Sequence, residues 1–203
     1  MTRIGIMGGT FDPVHNGHLL LGKQAYYEYG LDEIWYMPSH IPPHKRDHHI
    51  TDSDDRIAML RLALKDLPFC VVSEFEMERE GTTYTAHTLA LLRAEYPNHH
   101  FFFIIGADSL YQIEQWYHPE QVMKSATLLA SVREYEDTGR TFSQQIEYLK
   151  EKYGADIRPL HNEEMAIASA DIRKRVLEGK DISNDVPEAV KEYIDSHGLY
   201  RQP

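Results

Sequence analysis

A short apolar run at residues 3–7 leads into the stretch Gly8-Gly9-Thr10-Phe11-Asp12-Pro13-Val14-His15-Asn16-Gly17-His18. Gly8 and Gly9 let the backbone approach a ligand without an intervening Cβ. His15 and His18 are three apart at the start of an expected helix, so both can project from one face, and Gly17 leaves room for a triphosphate. A helix N-terminus offers free N–H groups and partial positive charge. The stretch therefore favours a phosphate site over a glycine turn with two surface histidines.

Outward from this stretch, apolar runs alternate with helical patterns. Strands are expected at residues 3–9, 33–38, 70–73, 101–106, 126–132 and 155–160, and helices at 18–29, 54–65, 86–96, 143–154, 170–177 and 187–196, with a loop and a short helix within residues 107–124. This alternation predicts an α/β fold with a doubly wound, mostly parallel sheet, helices on both faces and a small C-terminal helical segment. Ligands should lie outside the carboxyl ends of the strands. Without an internal repeat or linker, residues 1–203 are expected to form one domain.

The composition limits the partners and the compartment. Hydrophobic residues make up 42% and charged residues 26% of 203 residues, an ordinary globular balance. A net charge of −11 argues against a nucleic-acid partner, and no apolar run is long enough for a membrane span. The single cysteine, Cys70, excludes a disulfide framework and is expected in a buried strand rather than as a nucleophile. We therefore expect a cytoplasmic protein and leave a homodimer open.

Two common nucleotide signatures are missing from the sequence. It has no GxxxxGK[ST] loop, and GxGxxG does not follow the first strand. Residues 8–18 instead resemble the GxFxPxHxGH motif of the HxGH nucleotidyltransferase superfamily. The resemblance implies a Rossmann-like nucleotidyltransferase fold.

Five further segments resemble bacterial nicotinate-mononucleotide adenylyltransferases within that superfamily. Residues 37–45 resemble the PSxxPPHK loop, residues 82–89 the SYTxDTL segment, residues 105–116 the IGADxLxxLxxW segment and residues 167–173 the ISSTxIR segment; residues 186–200 resemble the closing helix. This chain departs from the family at His87, where an aspartate is usual, and at Ala168 and Ala170, where hydroxyls are usual. After Arg133, where the family has Arg-Pro-Gly near adenine, the chain has Glu134 and Tyr135.

The resemblance implies that ATP and nicotinate mononucleotide give nicotinate adenine dinucleotide and pyrophosphate. The residues that stabilise phosphate charge are then His15, His18, Lys45 and Arg173. The ATP site is then Gly8, Gly9, Thr10, Phe11, His15, His18, Gly106, Asp108, Arg133, Ser169, Ile172 and Arg173. The nicotinate-nucleotide site is then Ser39, Lys45, Tyr84, Thr85, Asp108, Trp116 and Tyr117. Mg²⁺ would arrive with ATP, without a metal site made by the protein.

Several side-chain roles can be compared with simpler alternatives. Trp116 can stack on a cationic pyridinium ring, or pack in a short helix. Thr85 and Ser169 are expected to cap the helices that follow them. Arg173, Lys174 and Arg175 should lie near the first turn of a helix, where an anion would offset their conflict with the dipole; the alternative is that they point to water.

Other functions remain open. A zinc site would have to use His40, His44, His48 and His49, but it lacks cysteines and a carboxylate pattern, so a solvated loop is the stronger alternative. The nearest alternative enzyme is phosphopantetheine adenylyltransferase. A relative of tRNA synthetases is weaker, since no KMSKS-like loop is present. A catalytically silent nucleotide sensor is the alternative from another class.

Overall fold

The computed structural model describes residues 1–40, 50–79, 82–132, 139–161, 165 and 167–201. The described strands are β1 (Thr2–Gly9), β2 (Glu33–Pro38), β3 (Cys70–Val72), β4 (His99–Ile105), β5 (Thr127–Ser131) and β6 (Ile157–Leu160). The described α-helices are α1 (Asn16–Tyr29), α2 (Ser53–Leu64), α3 (Thr85–Glu95), α4 (Ala107–Gln112), α5 (Pro119–Ser125), α6 (Phe142–Tyr153), α7 (Ser169–Leu177) and α8 (Glu188–His197).

The strands form one sheet in the order β3-β2-β1-β4-β5-β6, and every pair is parallel. Side chains of β4 alternate between two cores because successive residues of a strand face opposite sides. Phe101 and Phe103 pack under α3, α5 and α6, whereas Phe102 and Ile104 pack under α1, α2, α7 and α8. The predicted doubly wound α/β architecture is confirmed.

The order of the strands reverses between β1 and β4. The chain runs from β1 outward through β2 to β3 and returns to β4 on the other side of β1. In open α/β sheets, a crevice forms at the carboxyl ends of the two strands that flank such a reversal. Here those ends are Gly9 and Ile105, so the glycine stretch enters this crevice.

Helix starts differ from the predictions in two places. The N-caps of α3 and α7 are Tyr84 and Ala168, and neither makes a side-chain capping hydrogen bond. Thr85 and Ser169 are the first helical residues, so their predicted capping roles are wrong. The Ser169 hydroxyl instead donates to the backbone oxygen of Pro13 at 2.9 Å.

The environment of Cys70 and the lengths of the helices can be compared with the sequence predictions. Cys70 is half-buried in β3, and burial raises the pKa of its thiol to about 12, which supports a strand residue rather than a nucleophile. Within the described ranges, none of the helices has the length and apolar character needed to cross a bilayer.

Candidate active site

Two neighbouring cavities open where β1 and β4 end. The histidine cavity has a volume of about 350 Å³ and includes His15, Gly17, His18 and Gly106 in its wall. The aromatic cavity has a volume of about 600 Å³ and is bounded by residues of β1, β2 and α3 and by the segment after α4. Four residues line both: Gly8, Phe103, Ser109 and Trp116. A shared wall suits two ligands that react with each other.

His15 and His18 form a reciprocal cap at the start of α1. The backbone N–H of His18 donates to Nδ1 of His15 at 3.4 Å, and the backbone N–H of His15 donates to Nδ1 of His18 at 3.2 Å. The two rings stack with centroids 3.6 Å apart. Because both Nδ1 atoms accept hydrogen bonds, the proton of each neutral ring lies on Nε2. Each ring can therefore donate one N–H from its opposite edge.

Burial keeps both rings neutral at physiological pH. It lowers the pKa of His15 from 6.5 to about 4. Burial also lowers the pKa of His18 well below its ordinary value, and a charge on His15 would lower it further. At that pH both rings are neutral and can donate hydrogen bonds without carrying a charge, a distinction that could not be drawn from the sequence.

Gly17 makes space for this stack. A Cβ at this position would lie 3.1 Å from Nδ1 of His15 and 4.0 Å from Cβ of Ile167. The first distance is tighter than normal packing, so a larger residue would push against the His15 ring. The small residue thus accommodates His15 itself, in addition to leaving the cavity wall open.

Arg56 holds the three loops around the crevice, and its importance was missed in the sequence. Arg56 is 2% exposed, and its guanidinium donates to the backbone oxygens of Thr10, Ser39 and Thr51, each at 2.9 Å. Ser39 N–H also donates to the backbone oxygen of Gly9 at 2.9 Å. The available signal was a lone arginine on the apolar face of α2, next to Ile57 in sequence. One buried cation therefore ties the glycine stretch to β2 and to the entry of α2.

Helix α7 docks on the motif through side chains predicted to contact ATP. Arg173 Nη1 donates to the backbone oxygen of Asp12 at 2.6 Å and lies 4.0 Å from its Oδ2. Ser169 holds Pro13, as described above. Neither Ser169 nor Arg173 is in the wall of the two cavities. They lie beside the motif and would reach a ligand only from its flank.

The predicted basic cluster on α7 is divided. Lys174 and Arg175 lie in the last turn of α7, where cations agree with the helix dipole, so their predicted placement in the first turn is wrong. Arg175 pairs with Asp185 and donates to the backbone oxygen of Asp181. The prediction failed because the helix has only nine residues.

Aromatic side chains close one side of the aromatic cavity. Tyr84 and Tyr117 lie 4.4 Å apart between ring centroids, and the edge of Trp116 faces Phe103 at 6.2 Å. His87 contacts Tyr117 edge-on at 5.2 Å. The predicted residues Thr10, Ser39 and Thr85 line the same cavity. The structure thus brings the nicotinate-site candidates Ser39, Tyr84, Thr85, Trp116 and Tyr117 together.

A buried carboxyl group also lines this cavity. Glu76 is 9% exposed and accepts a hydrogen bond from the Thr88 hydroxyl at 2.6 Å. Burial raises the pKa of Glu76, and the Thr88 contact partly opposes that shift. Little in the sequence points to this group, because Glu76 lies among other acidic residues between Ser73 and Arg79.

The remaining predicted site residues have other positions. Asp108 is exposed in the first turn of α4, and it lines neither cavity, although its neighbour Ser109 lines both. Ile172 and Phe11 are buried in the core, and Phe11 contacts the edge of His18 at 5.0 Å. The following predicted residues lie outside the described part of the chain: Lys45, Arg133, Glu134 and Tyr135, and the histidines 44, 48 and 49 of the zinc alternative.

Comparison with known proteins gives consistent matches. The profile of the cytidylyltransferase-like family matches residues 6–175. A protein of Lachnoclostridium phytofermentans, named probable nicotinate-nucleotide adenylyltransferase, is 44% identical over 98% of this chain and 100% of its own length. The nicotinate-nucleotide adenylyltransferase of Bacillus subtilis is 40% identical over 98% of this chain and 99% of its own length.

A solved structure agrees with the fold. The nicotinic acid mononucleotide adenylyltransferase of Plasmodium falciparum, complexed with APC, superposes with a TM-score of 0.78 at 20% identity. The match covers 99% of this chain and 98% of that one. At this identity the likeness concerns the architecture of the sheet and its helices.

Proposed function

The chain belongs to the cytidylyltransferase-like family and, within it, to the nicotinate-nucleotide adenylyltransferases, and from this premise we propose that the histidine cavity receives the phosphates of ATP and the aromatic cavity receives nicotinate mononucleotide. The reaction joins the two substrates into nicotinate adenine dinucleotide and releases pyrophosphate, a step of NAD biosynthesis. The shared wall at Gly8 and Trp116 would bring their phosphates together.

The chemistry needs positioning more than a protein nucleophile. A phosphate oxygen of the mononucleotide attacks the α-phosphorus of ATP, and the bond from that phosphorus to the oxygen bridging to the β-phosphate breaks. The electron pair leaves with pyrophosphate. Negative charge accumulates on the leaving group and on the α-phosphate oxygens, so donors aimed at these oxygens accelerate the step.

The observation that carries the proposal is the stacked pair His15 and His18. Their Nδ1 atoms are occupied by backbone N–H groups, 3.4 and 3.2 Å away, which leaves both Nε2–H groups as fixed donors. Rings held in this way need no reorganisation when charge develops. In the first turn of α1, the N–H groups of Asn16 and His18 already donate to Asp185 and His15, so the helix contributes mainly the partial positive charge of its dipole.

Charged groups would complete the phosphate site from its flanks. Arg173 donates a hydrogen bond from Nη1 to the backbone oxygen of Asp12, and its other guanidinium N–H groups can donate to a phosphate oxygen. We assign Lys45 and Arg133 to the phosphates and to the adenine side, respectively, on family resemblance. Both assignments fall on residues outside the described ranges.

The aromatic cavity suits a planar ring that carries a carboxylate. Trp116 and Tyr117 offer faces and edges to a cationic pyridinium ring. Helix α3 begins without a side-chain cap, so the N–H groups of its first turn can bind the carboxylate of the nicotinate. An amide in place of the carboxylate would lose this charge-assisted contact.

Mg²⁺ is proposed to enter with ATP. Across the described residues, no group of three or more histidine, cysteine or acidic side chains is placed to hold a metal ion. We propose that the ion is held by phosphates and water, where it neutralises charge.

We further propose a cytoplasmic location and a homodimer. A reducing compartment agrees with the single cysteine, whose thiol has a raised pKa. Light scattering tests the dimer, since it should report twice the mass of one chain.

The test of the function is a substrate panel. Pyrophosphate release should be fast with ATP and nicotinate mononucleotide, and much slower with nicotinamide mononucleotide. Faster release with phosphopantetheine would instead identify a phosphopantetheine adenylyltransferase. ATP binding without pyrophosphate release for any acceptor would identify a silent sensor.

A variant pair tests the role of the histidines. His18→Ala should lower kcat by roughly 10²-fold, the usual cost of one lost transition-state donor. His161→Ala, at an exposed position of the same residue type, is the control and should retain activity. Full turnover by His18→Ala would contradict the phosphate role.

A further inference from the structure

The carboxylate of Asp12 is buried in the middle of the motif. Asp12 is 3% exposed, although it carries a charge and belongs to the loop that the ligand must approach. Its Oδ1 accepts a hydrogen bond from the hydroxyl of Tyr200 at 2.7 Å, and its Oδ2 faces the backbone N–H of Thr51 at 3.4 Å. A buried carboxylate needs such donors, because each missing one leaves charge without compensation.

Arg173 shares this residue with Tyr200. The guanidinium donates to the backbone oxygen of Asp12 and remains 4.0 Å from the carboxylate. Arg173 therefore does not form a close bidentate ion pair with Asp12, the arrangement that arginine and carboxylate prefer when no other group competes. Tyr200 and Thr51 occupy the carboxylate oxygens that such a pair would need.

Tyr200 is itself firmly placed. It comes 188 residues after Asp12 in the sequence, has a φ of 62°, and packs against the core that contains Met7 and Val14. Burial and the neighbouring Asp12 charge raise the pKa of its hydroxyl well above the ordinary value. The group is thus a permanent donor in the physiological range.

We propose that Tyr200 is a positioning residue for adenylyl transfer: by satisfying Asp12, it keeps Arg173 on the Asp12 backbone oxygen and its remaining N–H groups directed at the leaving pyrophosphate. The inference rests on the proposed function, since it assigns Arg173 to the phosphates. It also gives a role to the residues after α8, which no part of the mechanism has used.

The expected failure without the hydroxyl follows from charge. In Tyr200→Phe, the Oδ1 atom loses its donor while the ring still fills the core. The unsatisfied carboxylate then attracts the nearest cation, and the 4.0 Å gap to Arg173 closes. The Arg173 guanidinium then turns away from the phosphates, so Tyr200→Phe weakens the stabilisation of the transition state and leaves the binding of the acceptor nucleotide unchanged.

The experiment compares Tyr200→Phe with Tyr193→Phe. Tyr193 makes the same kind of bond, from its hydroxyl to Oδ1 of Asp55 at 2.8 Å, but it joins α8 to α2 away from the motif. Tyr200→Phe should lower kcat about tenfold, with little change in the KM for nicotinate mononucleotide. Tyr193→Phe should keep the kcat of the unaltered chain, even if both variants lose thermal stability.

A second variant separates positioning from a general loss of structure. Asp12→Asn keeps an acceptor for Tyr200 but removes the charge that pulls on Arg173. In the Asp12→Asn background, adding Tyr200→Phe should lower kcat less than twofold, because no carboxylate is left at residue 12 to attract Arg173 away from the phosphates. All assays are made well below the melting temperature of each variant.

The outcomes are distinct. A full tenfold loss from Tyr200→Phe in the Asp12→Asn background, equal losses in the two phenylalanine variants, or an unchanged kcat in Tyr200→Phe would each overturn the proposal. Failure of the proposed function is a different result, namely no pyrophosphate release from the unaltered chain with ATP and nicotinate mononucleotide.

Discussion

Replacing His15 by asparagine should make the protein less sensitive to acid. The fold lowers the pKa of His15 from 6.5 to about 4 through burial. Above pH 6.5 the ring is neutral in both the folded and the unfolded chain, so it contributes nothing to the pH dependence. Between these two values only the unfolded chain binds the proton, so the free energy of unfolding falls as the pH falls.

The size of the effect follows from the two pKa values. Lowering the pH from 7.5 to 5 should remove about 2 kcal/mol from the free energy of unfolding through His15 alone. The loss should reach roughly 3 kcal/mol once the pH is below the folded value. At pH 5 the folded His15 is still neutral, so its charge does not yet act on His18.

The assay is urea unfolding of the unaltered chain and of His15→Asn at both pH values. Asparagine is a good N-cap, so α1 keeps an acceptor for the His18 N–H. The variant should be less stable at pH 7.5, because a buried ring is lost, but its further loss at pH 5 should be smaller by about 2 kcal/mol. His197→Asn, at an exposed position, is the control. Equal losses in the unaltered chain and in His15→Asn would refute the claim that the fold holds this ring neutral.

Two further substitutions test packing and buried charge. Gly22→Ala should lower the free energy of unfolding by about 1–2 kcal/mol in thermal unfolding, although alanine normally favours a helix. The reason is that the new Cβ would overlap the hydroxyl of Tyr36 and lie 3.0 Å from its Cζ. A stabilised variant would contradict this packing. Glu76→Gln should be more stable than the unaltered chain at pH 8, because burial raises the pKa of Glu76 and an ionised carboxylate there is costly. That advantage should shrink as the pH falls toward 4, where the glutamate is protonated in both states, and a constant difference across this range would count against a buried titrating carboxyl.

The strands of the sheet and the placement of His15 and His18 could be predicted from the sequence. Apolar runs predicted all six described strands, and the expected doubly wound architecture followed from their alternation with helices. The spacing of His15 and His18 predicted that both rings lie on one face, and the stacked pair confirms it. These features depend on neighbours within a few residues, which local patterns describe well.

The residues that support the site depend on distant partners. Glu76 looks like an ordinary surface charge in the sequence, and Arg56 is marked only by its place on the apolar face of α2, because the partners of both come from other elements. Arg56 reaches Thr10, 46 residues away in the sequence, and its partner is a backbone oxygen, which leaves no mark on residue type. Tyr200 likewise depends on a distant partner, because Asp12 lies 188 residues before it in the sequence. A local pattern does not show what such groups contact, because their partners are set by the tertiary structure.

The departures at the start of α7 can be understood in the same physical terms. A serine or threonine at the N-cap would place its hydroxyl on the N–H groups of the first turn. Ala168 at the cap makes no side-chain bond, and the Ser169 hydroxyl is engaged by Pro13. The Asp171 N–H donates to the backbone oxygen of Ala168, and we propose that the N–H groups of Ser169 and Ala170 can bind an anion beside Arg173. On this proposal, Ala168 removes a hydroxyl but leaves the backbone donors of the helix, so the departure from the family would alter how the phosphate is held without removing the site.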